Sequence, residues 1–407
     1  MPRHHASELT AVRTDGLTRR QALERGLGAL AAAAILSRGV RLQADLASAT
    51  FQGAASAQTP AFPKGAVIRT LLKDFAPEEL AGGATLFHEH MSLATDFNQR
   101  FAAANAAVRA ANGEPAGNRA GGAGGGRAGT ATAAPAPPRA GGAPNPAAAP
   151  DPMRDVSLMT EELVTAKRDG VACIVDAGVR DMGRDLEFVR QASMKSGLPV
   201  IAGGGFYSQP FYPKEIATMS EEQIVQALIK QADEDPAGVF GEIGSWDEMT
   251  RDERKVFRAV GKAHVATNLS IFTHTGIPGK AAIEQLNILE DAGVDPNRVC
   301  IGHLGNLVDA SLYVHKALCR RGAFIGFDRQ GGNNDAQQVP LVMGLIDAGF
   351  ADNLLFSADT SRGYGKTLTV FLPKLRAAGV TDEVLRRIMV DNSRRFLAFV
   401  PKRPRKR

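Results

Sequence analysis

Short apolar runs alternate with amphipathic stretches along the chain from Ala84 onward. The runs have the length and aliphatic character of buried strands, whereas stretches such as Arg251–Ala266 and Ala281–Ala292 repeat apolar residues at helical spacing. This alternation predicts repeated βα units and therefore a parallel sheet. The predicted strands are Thr85–His90, Val171–Asp176, Pro199–Gly203, Val239–Ile243, Ser270–His274, Val299–His303, Ala323–Asp328 and Leu354–Asp359.

Eight strands, with seven helices between them and an eighth after Asp359, predict a closed (β/α)8 barrel of the α/β class over residues 58–400. An open doubly wound sheet normally has fewer strands and a glycine-rich fingerprint after the first one. Residues 102–151 are almost entirely Ala, Gly, Pro, Arg and Asn. Such a segment has too few large apolar side chains to offset its ordering entropy, so we expect a disordered insertion after the first strand.

The two ends of the chain have their own patterns. Residues 1–57 contain Arg19 and Arg20, an apolar run Leu27–Leu36 and the small-residue site Ala55-Ser56-Ala57, the order of a twin-arginine export signal. An ordinary amphipathic helix is the alternative. We therefore expect a periplasmic or secreted protein without a stable membrane span, because the apolar run is too short for one. Residues 401–407 are predicted to be a solvated, frayed tail. The five Lys and Arg of this tail match the net charge of the whole chain, +5, so the body is nearly neutral and no nucleic-acid partner is expected.

Ionisable side chains fall at the ends of five predicted strands, the edge where barrel enzymes build their active sites. Any one of them could be a hydrogen-bonded core residue. Together, four imidazoles and two carboxylates would be costly to bury unpaired, and a metal centre satisfies all of them. The candidate ligands are His88, His90, Glu242, His274, His303 and Asp359. Two other histidines, His264 and His315, sit in helical patterns and are predicted to be surface or packing residues.

Short motifs surround these candidates: Thr85–His90, Gly183–Asp185, Gly204–Tyr207, Gly241–Gly244, Thr273–Thr275, Ile301–His303, Gly326–Arg329 and Ser357–Asp359. They resemble the signatures of the phosphotriesterase family of the amidohydrolase superfamily, in order and spacing, from Gly65 to Leu397 apart from the insertion. The resemblance is specific for the family and only weakly specific for the substrate.

The resemblance implies two divalent metal ions. His88, His90 and Asp359 would bind the buried ion, and His274 and His303 the more exposed one. Glu242 would bridge the two, as a glutamate does in the phosphotriesterase-homology and phosphotriesterase-related branches. Other members of the family use a carbamylated lysine at this place. Nitrogen and oxygen ligands fit zinc, with manganese, cobalt or iron as alternatives.

The implied chemistry is hydrolysis. A hydroxide shared by the two ions would attack a carbonyl or phosphoryl centre, and Asp359 would accept and shuttle the proton. The leading expectation is a small-molecule ester-like substrate, meaning a lactone, a carboxylic ester or a phosphotriester. The alternatives are an amidase that hydrolyses N-acyl amino acids and a metal-binding barrel without catalysis. A homodimer is left open.

The chain departs from the family pattern at positions that bear on the substrate. Asn306 replaces an aspartate and Arg329 a histidine of the phosphotriesterase proton relay, and the loop Thr360–Tyr364 is shorter than in lactonase members. We expect Tyr207 and Arg329 to bind substrate, since a guanidinium group pairs well with a carboxylate. A structural salt bridge from Arg329 to Asp328 or to a neighbouring loop is the alternative.

Overall fold

In the computed structural model, which describes residues 60–111, 150–276 and 279–405, eight parallel strands form one sheet whose spatial order is their order along the chain. A two-stranded antiparallel hairpin, β1 and β2, precedes them. All described residues belong to one unit, Ala47–Arg407. The strands are β1 (Ile68–Arg69), β2 (Asp74–Phe75), β3 (Ala84–Glu89), β4 (Val171–Asp176), β5 (Val200–Gly204), β6 (Val239–Ser245), β7 (Ile271–Thr275), β8 (Val299–Ile301), β9 (Phe324–Phe327) and β10 (Leu354–Phe356).

The first and last strands of this sheet meet at a seam. No ladder joins β3 to β10, but the Asp359 amide donates to the His88 carbonyl at 3.1 Å, and the His90 amide donates to the Thr360 carbonyl at 2.9 Å. These backbone bonds lie just beyond the carboxyl ends of the two strands and close the sheet there. The predicted (β/α)8 barrel is therefore confirmed.

Helices follow each barrel strand, as the alternating pattern predicts. The helix predicted over Arg251–Ala266 shows why the boundaries were readable: Thr250 and Glu253 form a reciprocal capping box at its start, and Asn268 in the left-handed conformation ends it. Among the described residues, no helix is both long and apolar enough to cross a membrane. The helices are α1 (Phe97–Ala111), α2 (Val156–Arg168), α3 (Leu186–Ser196), α4 (Glu221–Glu234), α5 (Arg251–Thr267), α6 (Ala282–Asp291), α7 (Tyr313–Arg320), α8 (Asp335–Asp347), α9 (Leu372–Ala377), α10 (Asp382–Arg386) and α11 (Ser393–Leu397).

Two apolar clusters make the core. The larger fills the layer between the strands and the surrounding helices. The smaller takes a residue from each of the eight barrel strands, including Phe87, Val239 and Phe272, and therefore fills the barrel interior. Ile68 and Phe396 belong to this inner cluster and come from outside the barrel strands. His264 and His315 are buried and bond to backbone carbonyls, which agrees with the predicted packing role.

The predicted insertion begins later than expected. The prediction that disorder starts at residue 102 is wrong for its first ten residues, because α1 continues to Ala111. Alanine has the highest helix propensity, and Phe97 and Phe101 anchor the start of this helix against other aromatic rings. Residues 112–149 of the insertion and the predicted export signal lie outside the described residues.

The described part of the predicted frayed tail, residues 401–405, packs on the body. Arg405 donates to the carbonyls of Thr70 and Leu71, both at 2.7 Å, and to the Asp74 carboxylate at 3.0 Å. Val67 pairs with Phe399 in an antiparallel bridge that brings the two ends of the barrel domain together. The expectation failed because the hairpin β1–β2, which the apolar pattern did not reveal, supplies the acceptors.

We predict that Arg405→Ala lowers the free energy of unfolding by about 1 kcal/mol at neutral pH, the usual contribution of such hydrogen bonds. Burial raises the pKa of Asp74, but the guanidinium groups of Arg69 and Arg405 outweigh it and lower this pKa. The ionic part of the stabilisation is therefore present above about pH 4, the pKa of an unfolded aspartate, and is lost as the pH falls through the lowered value. Urea unfolding at pH 7 and pH 3 measures both.

Arg403→Ala is the control for this variant, because Arg403 reaches Asp233 only at 3.6 Å and its side chain is 47% exposed. We expect its effect to stay within about 0.5 kcal/mol. Equal effects of the two substitutions would contradict a specific role for Arg405.

Candidate metal centre

The six predicted ligands converge at the carboxyl ends of the barrel strands. Each of these residues is buried, with at most 5% of its surface exposed. They come from five strands or the residues just after them: His88 from β3, His90 after β3, Glu242 from β6, His274 from β7, His303 after β8 and Asp359 after β10.

Two of the predicted strands end early for a reason that bears on the site. They were expected to reach His303 and Asp359, but β8 ends at Ile301 and β10 at Phe356. His303 and Asp359 have positive φ angles of 61° and 47°, which are outside the extended region. The backbone turns there, at a cost in conformational energy, and carries both side chains over the mouth of the barrel.

Three ligand atoms form a first group. The Asp359 Oδ1 atom lies 3.1 Å from His90 Nε2 and 3.6 Å from His88 Nε2. All three atoms lie within 4.8 Å of one another, close enough to share one ion.

A second group lies beside the first. Glu242 Oε1 is 2.6 Å from His274 Nδ1 and 3.2 Å from His303 Nε2. The same carboxylate faces the first group, with Oε1 3.5 Å from His88 Nε2 and Oε2 3.8 Å from His90 Nε2. Glu242 thus reaches both groups, as a bridging ligand must.

The site passes a test that does not depend on any ion. Among the described residues, His88 Nε2 and Asp359 Oδ1 are buried without a hydrogen-bond partner, although buried polar atoms normally have one. Both point into the first group, where a cation would satisfy them. Imidazole nitrogens and carboxylate oxygens are suitable ligands for divalent ions of the zinc type. The residues therefore fit two divalent ions.

The two carboxylates are held in the charged form. Burial raises the pKa of a carboxyl group, but the imidazoles of His88 and His274 outweigh it and hold the pKa of Glu242 well below its usual value. His88 and His90, together with Arg329, have the same effect on the pKa of Asp359. At neutral pH, both groups are ready to bind a cation.

His274 and His88, which belong to different groups, differ in protonation. Burial, together with the neighbouring His303, lowers the pKa of His274 to about 4 despite the nearby Glu242, so His274 is a neutral ligand at pH 7. Burial also lowers the pKa of His88, but Glu242 and Asp359 outweigh it and raise this pKa well above its usual value. An ion entering the first group must therefore displace a proton.

Asp328 is a functional residue that the sequence analysis did not identify. Its Oδ1 lies 2.7 Å from His303 Nδ1 and its Oδ2 3.1 Å from His88 Nδ1. These bonds turn the Nε2 atoms of both rings toward the ion groups, a common role of carboxylates behind metal-binding histidines. Asp328 also ends a predicted strand, and that position was the available signal.

The predicted substrate residues both line the site. Among the described residues, Arg329 forms no salt bridge with Asp328 but does form one with Asp359 in the neighbouring loop, so both a structural role and a substrate-binding role remain open. It donates from Nε to Asp359 Oδ2 at 2.9 Å. The Tyr207 hydroxyl lies 3.1 Å from His274 Nδ1. Both residues border a cavity with an empty volume of about 250 Å³, whose lining is His90, Phe97, Phe101, Met182, Tyr207, Glu242, His274, His303, Arg329 and Asp359.

Helix α1 supplies the aromatic wall of this cavity. The Phe101 ring lies 6.0 Å from the His274 ring and 5.7 Å from the Trp246 ring, and Phe97 packs 5.9 Å from Tyr207. The sequence analysis missed both phenylalanines because they stand at the edge of a segment whose composition predicts disorder.

Oxygen and nitrogen ligands for two ions, gathered at the strand ends of a (β/α)8 barrel, define a metal-dependent hydrolase. The sequence model of the phosphotriesterase family matches residues 70–397. The chain belongs to the phosphotriesterase family.

Two relatives give the range of similarity. The phosphotriesterase homology protein of Escherichia coli (strain K12) is 29% identical over 260 residues, which cover 59% of this chain and 88% of that protein. The N-acetyltaurine hydrolase of Danio rerio is 26% identical over 278 residues, which cover 60% of this chain and 78% of that protein.

Solved structures show the same fold. The crystal structure of the Escherichia coli phosphotriesterase homology protein, with phosphate in its active site, has a TM-score of 0.62 at 24% identity and covers 79% of this chain and 100% of that one. A resiniferatoxin-binding protein from Rhodobacter sphaeroides has a TM-score of 0.64 at 24% identity and covers 84% and 98%.

We predict that Glu242→Gln lowers the metal content from two ions per chain toward one, because the amide keeps the shape but loses the charge that draws two cations together. Elemental analysis after dialysis against a fixed free zinc concentration measures this. Glu242→Asp, which keeps the charge, is the control and should retain more metal. A Glu242→Gln protein with two tightly bound ions would show that another carboxylate is the bridge.

Proposed function

We propose that this protein is a binuclear metal-dependent hydrolase that cleaves the amide bond of small N-acylated compounds carrying a carboxylate or sulfonate group. The observation behind the proposal is the polarity of the cavity. Arg329 lines it beside the metal ligands, and its Nη1 atom is buried without a hydrogen-bond partner among the described residues. The aromatic rings of α1 form the opposite, apolar boundary.

Arg329 suits an anionic group on the substrate. A guanidinium group forms charge-assisted hydrogen bonds with planar or tetrahedral anions. Only Nε of Arg329 is committed to Asp359, and Nη2 lies 3.3 Å from His303 Nε2. Leaving Nη1 unpaired is costly in a buried site, and a carboxylate or sulfonate would remove that cost.

The cavity suits a short acyl group. About 250 Å³ of space, part of it open to solvent, lies between its walls. Phe97, Phe101 and Met182 would contact the acyl chain. The relatives of this chain include seven N-acetyltaurine hydrolases, at 25–27% identity. Their names support an acetylated substrate with an acidic group.

Ester-like substrates are the second candidate. The carbonyl chemistry is the same, and the family model and the Escherichia coli relative both carry phosphotriesterase names. A lactone, carboxylic ester or phosphotriester without an anionic group would leave Arg329 unused, which is why we place these substrates second.

The residues divide the work of hydrolysis. When bound, the two ions would supply a water molecule of lowered pKa and polarise the scissile bond. Asp359 uses Oδ1 in the first ligand group, so Oδ2 is the oxygen that can take the proton from water and return it to the departing nitrogen. Burial raises the pKa of Tyr207 well above its usual value. Its hydroxyl therefore stays protonated and can donate to the substrate carbonyl oxygen.

We predict that Arg329→Gln raises KM for anionic substrates at least about tenfold, which corresponds to ~1.4 kcal/mol. N-acetyltaurine and N-acetylglycine serve as anionic probes, and a neutral ester or lactone of similar size as the reference. The ratio of the two effects removes the influence of Arg329 on Asp359, which acts on both substrates alike. Arg329→Lys, which keeps the charge, should retain part of the preference.

A wild-type enzyme that cleaves neutral lactones or esters and ignores both anionic amides would favour the second candidate. A protein that holds two ions and turns over no member of the panel would support the non-catalytic alternative.

We predict that Asp359→Asn lowers kcat by about 10²–10⁴-fold, the range of general acid–base groups, while costing less in metal occupancy. The amide preserves the size and one ligating oxygen but cannot accept the proton. Metal content and single-turnover rate are measured on the same preparation. Activity that falls only in proportion to lost metal would make Asp359 a ligand and nothing more.

A further inference from the structure

Glu89 is the last residue of β3 and lies between His88 and His90 in the sequence, yet it is part of neither ion group. Its side chain is fully buried. No hydrogen bond or ion pair joins it to a basic side chain in the part of the chain that the structure describes; its hydrogen bonds come from a hydroxyl and from backbone amides. A buried carboxylate without a close cation is costly. Its contacts therefore indicate what it contributes.

The Glu89 carboxylate crosses the seam between β3 and β10. Oε1 accepts hydrogen bonds from the Ser357 hydroxyl and the Ala358 amide, both at 2.8 Å, and Oε2 accepts one from the Thr360 amide at 2.9 Å. Two of these donors are the immediate neighbours of Asp359 on either side.

Asp359 needs such support. Its φ of 47° places it in the left-handed region, which residues other than glycine occupy at a cost. The strands on the two sides of the seam share no ladder that would hold the segment in place. Without the Glu89 bonds, the main chain at 358–360 would keep the backbone bonds from Asp359 to His88 and from His90 to Thr360, and Arg329 would still bond to the Asp359 side chain.

We infer that Glu89 is a positioning residue for the first ion group. It accepts hydrogen bonds from the residues on both sides of Asp359 and so fixes the Asp359 carboxylate opposite His88 and His90. The inference rests on the binuclear centre of the proposed function. Because Glu89 lies at the first group and not at the second, its loss should weaken one ion selectively.

The test uses Glu89→Gln in the full-length protein. The substitution keeps the size but places an amide NH2 against at least one of the three donors. Zinc affinity is measured for each ion by chelator competition, and the absorption spectrum of the cobalt-loaded protein reports the ligand geometry. We expect one of the two affinities to fall by about 10–100-fold, the usual effect of losing a residue that orients metal ligands, with a changed cobalt spectrum.

Glu253→Gln is the matched control. Glu253 is also fully buried and accepts backbone amide hydrogen bonds, from Thr250 at 2.9 Å and Gln209 at 3.3 Å, but it is outside both ion groups. Both variants should lower the melting temperature of the metal-free protein. Only Glu89→Gln should reduce the rise in melting temperature that zinc produces.

Three outcomes separate the possibilities. If Glu89→Gln binds both zinc ions with wild-type affinity and its cobalt spectrum is unchanged, the inference is overturned and Glu89 has a structural role. A wild-type chain that binds fewer than two ions would contradict the proposed function itself. If Glu89→Gln does not fold, Glu89→Asp replaces it: the shorter side chain keeps the charge but cannot reach Ala358 and Thr360 together, so the same selective loss is expected, and its absence would again overturn the inference.

Discussion

One carboxylate behind the ligands sets the geometry of the whole centre. Asp328 bonds to His88 and to His303, which belong to different ion groups. The two groups therefore cannot shift independently: a movement of β9, which precedes Asp328, would turn one imidazole of each. The Asp328 bonds occupy the outer nitrogens of both rings, so that only the inner nitrogens remain for metal.

The predictable part of this structure is the part that the barrel dictates. Strand periodicity located the ligands, because the carboxyl ends of barrel strands lie at the mouth, where barrel enzymes build their active sites. The turns at His303 and Asp359 could not be predicted, since His and Asp adopt positive φ angles more often than most residues but still rarely. Phe97 and Phe101 were hidden by the composition that follows them, and Arg405 by a hairpin of two-residue strands. In each case a tertiary contact decided what the local sequence left undecided.

Chemistry and selectivity have separate supports in this molecule. The ion ligands stand on or next to strands whose neighbours are buried and tightly packed. Before His303, for example, a side chain at Gly302 would meet the Thr273 carbonyl at 2.0 Å. The cavity wall comes from α1 and from the segment around Tyr207, which follow strands and can vary without disturbing the barrel. A family can therefore keep one reaction and change its substrate, and the different names of the relatives agree with such a division.

The seam determines when the first ion group can form during synthesis and folding of the chain. His88 and Ser357, which meet across it, are 269 residues apart in sequence, so almost the entire barrel must be synthesised and folded before Asp359 can join His88 and His90. Contacts between such distant segments form late, because closing a long loop costs entropy that only the finished core repays. A nascent or truncated barrel would lack this group altogether. Occupancy of the first ion group would then distinguish complete barrels from chains that are still being synthesised.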